Sequence, residues 1–328
     1  MIRFLFRRLL LLVPLLFLIS VTSFMIIQLP PGDFASTYFA NMSSGGEGVS
    51  QEELEQIRDI YGLNQSIPIQ YFKWIIRFAQ GDFGRSMEWK KPVASLIWER
   101  LGYSMILTLF SFCLIWVISI PIGVYSATHQ YSMGDYIAST LGFLGLSIPN
   151  FLLALIILFL VFHFSGAAAV GLFSDKYQLA PWSPAKVWDL AQHLVVPALI
   201  VGASGLASTI KLIRSNLLDE LQKPYVLVAR SKGLKERSVL YRYPFRIAIN
   251  PAISTVGWLL PSLVSGEVMV SLVLGLPTIA PLLLKALQSQ DMYLASGILL
   301  ILSVLTVVGT LVSDILLAIV DPRIRQDF

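Results

Sequence analysis

Six stretches of this chain run for twenty residues or more almost without Asp, Glu, Lys or Arg, and they limit its fold more than any other feature. They are Leu9–Leu29, Leu101–Asp135 (apolar as far as Ala127), Ile137–Ser174, Leu190–Ile210, Ile247–Leu284 broken only by Glu267, and Met292–Val320 broken only by Asp314. A helix needs about 20 apolar residues to cross about 30 Å of hydrocarbon at about 1.5 Å per residue. Only 13% of the 328 residues are charged, roughly half the share of an ordinary soluble domain. The expected fold is therefore all-α: a polytopic membrane protein with six transmembrane helices and both termini on one side. Arg3, Arg7 and Arg8 before the first run also suit a signal peptide. Its 21 residues exceed a signal core of about 7–15, and Leu29-Pro30-Pro31-Gly32-Asp33 follows, so an uncleaved first helix is expected. The lone Cys113 leaves no internal disulfide framework and no cysteine metal cluster.

Basic residues near the span ends set the orientation. Three arginines lie in the first eight residues, and 211–250 holds nine basic residues against three acidic ones. Both termini and 211–250 are thereby expected in the cytoplasm, with 30–100 outside. The net charge of +4 is a topology signal rather than a nucleic-acid surface, because its largest part sits in one juxtamembrane segment. The expected organisation is 1–29 as N-terminal tip and first span, 30–100 as an external segment with short helices, and 101–328 as a five-helix core.

Within the external segment, Ser50 and Glu53 read as a capping box. Leu54, Ile57 and Tyr61 recur at helical spacing, and Gly62 is a natural stop. A second amphipathic piece covers about Pro68–Phe78, ahead of Gly81-Asp82-Phe83-Gly84. This segment is either a cap on the bundle or a docking surface. In the internal segment, Ser215–Leu221 reads as helix, Pro224 interrupts, and Tyr225–Lys232 resumes and stops at Gly233. Composition alone leaves a lipid-touching topology loop open as a reading of this element.

Tyr225-Val226-Leu227-Val228-Ala229-Arg230-Ser231-Lys232-Gly233-Leu234 resembles the coupling loop of ATP-binding cassette importer permeases, in its peptide-permease form. Leu227 and Val228 replace the first Glu-Ala of the generic motif. The resemblance extends over the chain: Arg7-Arg8-Leu9, Pro31-Gly32-Asp33, Tyr61-Gly62-Leu63-Asn64 with Pro68-Ile69-Gln70-Tyr71, Gly81-Asp82-Phe83-Gly84-Arg85-Ser86, Leu146-Ser147-Ile148-Pro149-Asn150-Phe151 and Asp321-Pro322-Arg323-Ile324-Arg325 are similar to family segments in the same order. It implies the B-type membrane subunit of a dipeptide, oligopeptide or nickel importer, with a type I importer permease fold, in the bacterial cytoplasmic (inner) membrane.

The implied partners are a second homologous permease subunit, two cytoplasmic ATP-binding cassette ATPases, an external substrate-binding protein and the lipid bilayer, with no nucleic acid. The residues implied to meet an ATPase are Asp219, Glu220, Tyr225, Ala229, Arg230, Lys232, Gly233, Leu234 and Lys235. Ala229 would allow close approach, and Arg230, Lys232 and Lys235 would pair with acidic groove residues. No Gly-Lys dipeptide occurs, so a Walker A phosphate cradle is absent. No cofactor is expected on this chain; ATP and Mg belong to the partner ATPases. Peptides are the expected cargo, with oligosaccharides, opines, nickel chelates and peptide-like antibiotics as alternatives.

Charged groups in a membrane face a bundle interior or a water-filled cavity. Glu267 either lines the translocation path, meeting a peptide amine or another cation, or is a structural carboxyl paired with a polar neighbour. The family pattern has a small residue there. Ser147, Pro149, Asn150 and Ser271 complete the candidate path. Asp314 reads as a cap or a partner near Arg323 or Arg325. Pro121, Pro149, Pro197 and Pro261 are candidate kinks, and Gly142, Gly145 and Ser147 form a small-residue packing face. A secondary transporter would show inverted repeats, and none is evident; no nucleophile–base constellation for an intramembrane enzyme can be assembled.

Overall fold

The computed structural model describes the backbone of residues 2–44, 51–165 and 171–320. Among them there are sixteen helices and no strand. The first eight are α1 (Ile2–Gln28), α2 (Phe34–Ser44), α3 (Gln51–Tyr61), α4 (Ile67–Ala79), α5 (Val93–Thr128), α6 (Met133–Ser147), α7 (Asn150–Ser165) and α8 (Asp175–Gln178). The rest are α9 (Pro184–Leu221), α10 (Pro224–Ser231), α11 (Glu236–Arg242), α12 (Pro244–Ala248), α13 (Asn250–Ser254), α14 (Val256–Val273), α15 (Ile279–Gln288) and α16 (Met292–Val320). Ser50 and the side chains of Asp314, Arg323 and Arg325 lie outside the described residues.

Three helices, α5, α9 and α16, are long and apolar enough to cross a membrane, and two bent pairs raise the number to five if each is one span. The stretch expected to form one span from Ile137 is such a pair: α6 and α7 meet at 112°. Ile148, with φ −88° and ψ 122°, takes the extended conformation that a following proline favours. Pro121, Pro197 and Pro261 sit instead inside continuous helices. The apolar run from Ile247 to Leu284 is likewise divided, since α14 stops at Val273 and α15 is a separate helix.

The chain separates into two compact units, Met1–Tyr103 with Thr278–Val308 and Ser104–Pro277 with Gly309–Phe328. In the first, an aromatic core joins α1 to α4. Tyr71 and Trp74, one turn apart on α4, pack with Phe24 at ring distances of 5.5 and 5.6 Å, and the Tyr71 hydroxyl lies 2.8 Å from Ser20 Oγ. Helix α2 starts on a reciprocal cap: Ser36 N donates to Asp33 Oδ1 at 2.8 Å and Asp33 N to Ser36 Oγ at 2.7 Å. Arg58 Nε closes on the other carboxylate oxygen at 2.8 Å. Helix α3 ends before Gly62, which has φ +68°. Asp291, fully buried ahead of α16, accepts from Ser86 Oγ at 2.5 Å, Glu88 N at 3.1 Å and Leu294 N at 3.2 Å. One carboxylate thus caps α16, a candidate span, and holds the loop after α4.

The second unit is built on α9. Its small residues admit close neighbours: a Cβ on Gly205 would fall 2.8 Å from Ile115 Cδ1 and 2.9 Å from Leu259 Cδ1. Gly145 touches α9 at the Ala203 carbonyl in the same sense, at 3.2 Å, whereas Gly142 faces open space. The 129–132 turn is bound to α9 through Asp135, which is 3% exposed. Arg214 grips that carboxylate with Nε and Nη2 at 2.7 and 2.8 Å, Tyr131 N donates at 3.0 Å, and Ser126 Oγ adds a further bond. Towards the other end of α9, Asp189 accepts from Ser174 N and Oγ at 2.9 and 2.8 Å. Buried Lys186 donates to the Ala180 carbonyl at 2.6 Å.

Candidate functional site

The element after α9 has the boundaries that its residues dictate. Pro224 occupies the first turn of α10, where its missing N–H costs no bond. Gly233, with φ +73°, turns the chain out of the helix, and its N donates to the Arg230 carbonyl at 2.9 Å. No heavy atom lies within 4 Å of a Cβ built there, so left-handed backbone, not crowding, calls for glycine.

Val226 and Ala229 of α10 pack on Val239 of α11, flanked by Tyr225 and Tyr243. Ala229 therefore faces inward, and the outward apolar face is Leu227 and Val228, 57% and 54% exposed. Arg230 is not a free cation: its Nε and Nη2 meet Glu236 Oε1 at 3.2 and 2.5 Å. That bond holds the Glu236 carboxyl below the usual range against a smaller opposing effect of burial. Lys232, Gly233, Leu234 and Lys235 are exposed beside it, as is Asp219. Glu220, at the end of α9, accepts a hydrogen bond from the Tyr225 hydroxyl. Burial and that carboxylate together push the phenol up to about 12. The residues expected to meet an ATPase thus form one cluster, tied by Tyr225 to α9. Ile213 and Leu217 of α9 in turn bury against Ala248 and Ala252 of α12 and α13.

The candidate path residues fall into two polar groups. Asn150 Nδ2, at the start of α7, donates to the Val201 carbonyl at 3.4 Å. With Ser204, Ser208 and Ser262 it lines a cavity of about 160 Å³. Ser147 ends α6 and Pro149 lies in the break beside it. Glu267 is 2% exposed and belongs to the other group. Its Oε1 accepts from Ser104 of α5 at 2.8 Å and from Ser271, one turn on, at 3.3 Å.

Sequence reasoning missed Asp135 with Arg214 and Ser86 with Asp291, partners 79 and 205 positions apart. The only local signal was an acid just before an apolar run, Asp291 at the cap of α16 and Asp135 in the first turn of α6 behind the Ser132 cap.

A helical, multi-pass membrane protein with a glycine-terminated polar element between two of its candidate spans is the class that this geometry defines. Residues 119–326 match the model of the binding-protein-dependent transport system inner membrane component, and residues 1–108 match the N-terminal model of the same system's membrane component. The chain belongs to this permease family of ATP-binding cassette transporters. It is 36% identical over 98% of its length to the oligopeptide transport system permease protein AppB of Bacillus subtilis, covering 99% of that protein. It is 29% identical to a putative peptide permease protein of Brucella ovis, over 99% of both chains. It is 30% identical to the inner membrane ABC transporter permease protein YejB of Escherichia coli O157:H7, over 98% of both.

Proposed function

We propose that this chain is one permease subunit of an ATP-driven peptide importer in the bacterial cytoplasmic membrane. The names of the relatives support peptides as cargo. The topology we infer has six spans: α1, α5, the bent α6–α7 pair, α9, the bent segment ending in α14, and α16. Both termini and residues 211–250 are then cytoplasmic, in keeping with the nine basic residues of that segment. The remaining partners are a homologous second permease, two ATPases that hold ATP and Mg, and an external binding protein. This chain carries no cofactor of its own in that scheme.

The observation that carries the reading is α10, a short helix with an exposed apolar face and a rigid attachment. ATPase closure displaces α10. The Tyr225–Glu220 bond and the packing of α12 and α13 on α9 pass the displacement to a helix of 38 residues, about 57 Å long at about 1.5 Å per residue. A flexible loop would absorb the same push. The bundle then alternates between outward and inward access, as a two-state element biased by nucleotide.

Purification of tagged chain from its native membrane, with subunits counted by mass spectrometry, tests this. Two ATPase copies and one further permease per chain are expected. A chain that purifies alone and takes up solute on an ion gradient overturns the reading.

A further inference from the structure

Helix α4, 13 residues long, presents three different faces. Tyr71, Trp74 and Phe78 pack into the aromatic core of the first unit. Ile69, Phe72 and Ile76, spaced by three and four, share a second face and are 49%, 57% and 56% exposed. Lys73 and Arg77, one turn apart, form the third; with Asp59 and Gln65 they line a polar cavity of about 160 Å³. Both cations are exposed, and no salt bridge to either occurs among the described residues. One open flank of this helix is therefore apolar and the other polar.

The contacts of α4 fix its height on α1. Tyr71 and Trp74 meet Phe24, four residues before α1 ends at Gln28, about 6 Å along the axis at 1.5 Å per residue. The Tyr71 side chain reaches further in, to Ser20 and to the Phe17 ring at 6.5 Å. On its other side the Phe72 ring lies edge-on to it at 5.5 Å. Phe17 is exposed, as are Leu18, Met25 and Ile26 of α1. A line of rings, Phe17, Tyr71 and Phe72, thus joins exposed apolar surface on α1 to the exposed apolar face of α4.

From these features we infer that α4 is an interfacial membrane helix, with Ile69, Phe72 and Ile76 among the acyl chains of the outer leaflet and Lys73 and Arg77 at the level of the lipid phosphates. The inference rests on the topology proposed above, in which α1 is a span that leaves the membrane near Gln28. A helix seated one turn below the end of a span lies at the depth of about 5–10 Å that amphipathic helices reach in a bilayer. Acyl chains remove the exposed isoleucines and phenylalanine from water, as burial in protein would. The long stems of Lys73 and Arg77 run beside the apolar face while their charges stay in the polar layer.

The test is the accessibility of nitroxide labels, read by electron paramagnetic resonance on the assembled transporter in vesicles of equal phosphatidylethanolamine and phosphatidylglycerol, with Cys113→Ser as background. Labels on Ile69→Cys, Phe72→Cys and Ile76→Cys collide with oxygen, which concentrates in hydrocarbon, several-fold more often than with a water-soluble nickel chelate. Labels on Lys73→Cys and Arg77→Cys show the opposite preference. Leu18→Cys, on the exposed side of α1, is the reference for a label facing lipid.

Nickel access at 69, 72 and 76, with the Leu18→Cys label still in lipid, would place α4 in water and overturn the inference. Shielding of the same three labels from both reagents would mean that protein, such as the second permease, covers the face, and would overturn it as well. Nickel access at Leu18→Cys would show that α1 is no span, so that the topology fails and the inference with it; the reference label tells the two failures apart.

Discussion

Replacing Gly233 separates the turn that ends α10, the proposed coupling helix, from everything around it. Nothing crowds its Cα, so Gly233→Ala changes only the energy of a backbone held at φ +73°. A Cβ in that region costs about 1–2 kcal/mol. Close to the middle of that range, about 1.4 kcal/mol is a tenfold change in the population of the native turn. Gly233→Asn costs less, since asparagine tolerates this conformation. Gly233→Pro costs most, because proline fixes φ near −65° and removes the N–H that bonds the Arg230 carbonyl. The assay is peptide taken up per ATP hydrolysed, in reconstituted vesicles with all subunits present. Coupling should fall in the order glycine, asparagine, alanine, proline, while assembly stays constant. A proline variant that assembles and keeps the wild-type ratio refutes the reasoning.

Three further outcomes are expected. Arg214→Gln leaves the buried Asp135 carboxylate without its cation and should destabilise the second unit by about 3–5 kcal/mol, with the exchanged pair Asp135→Arg and Arg214→Asp recovering part of the loss in thermal unfolding. Burial pushes the Asp33 carboxyl up, but Arg58 and the Ser36 amide and hydroxyl outweigh it and hold it below its usual value. Its stabilising effect is complete above the unfolded value of about 3.9 and is lost as pH falls through the lower native value; Asp33→Asn, still a good cap, should flatten this acid limb in hydrogen exchange of α2, and an unchanged limb would exclude Asp33 as its source. Glu267→Gln keeps an oxygen for Ser104 and Ser271, so the fold should persist while uptake of cationic peptides falls relative to neutral ones; equal uptake of both would make Glu267 purely structural.

The helices themselves were legible because their causes are local. Apolar runs gave the long elements, and Pro224 and Gly233 marked α10 on either side. A kink at Pro149 was legible, but not that it alone of four candidates breaks its helix while Pro121, Pro197 and Pro261 stay inside theirs. Proline is tolerated wherever neighbours satisfy the freed carbonyl, and the sequence does not display those neighbours. The inward turn of Ala229 depends on Val239, ten positions on and in another helix. The pairing of Arg230 with Glu236 was not legible either, since it crosses the Gly233 turn into the next helix. Glu267 was visible as a charge in an apolar run, but Ser104 lies 163 positions before it.

The central claim is that α10 seats against an ATPase through its outward face. Its most direct measurement is disulfide or short-linker cross-linking in the assembled transporter, after the exposed Cys113 is replaced by serine. Leu227→Cys and Val228→Cys should cross-link to an ATPase subunit, with a yield that changes when nucleotide is added. Val226→Cys, buried against α11, should not. Absence of ATPase adducts from both exposed positions, in a complex that still hydrolyses ATP and imports peptide, would contradict the account.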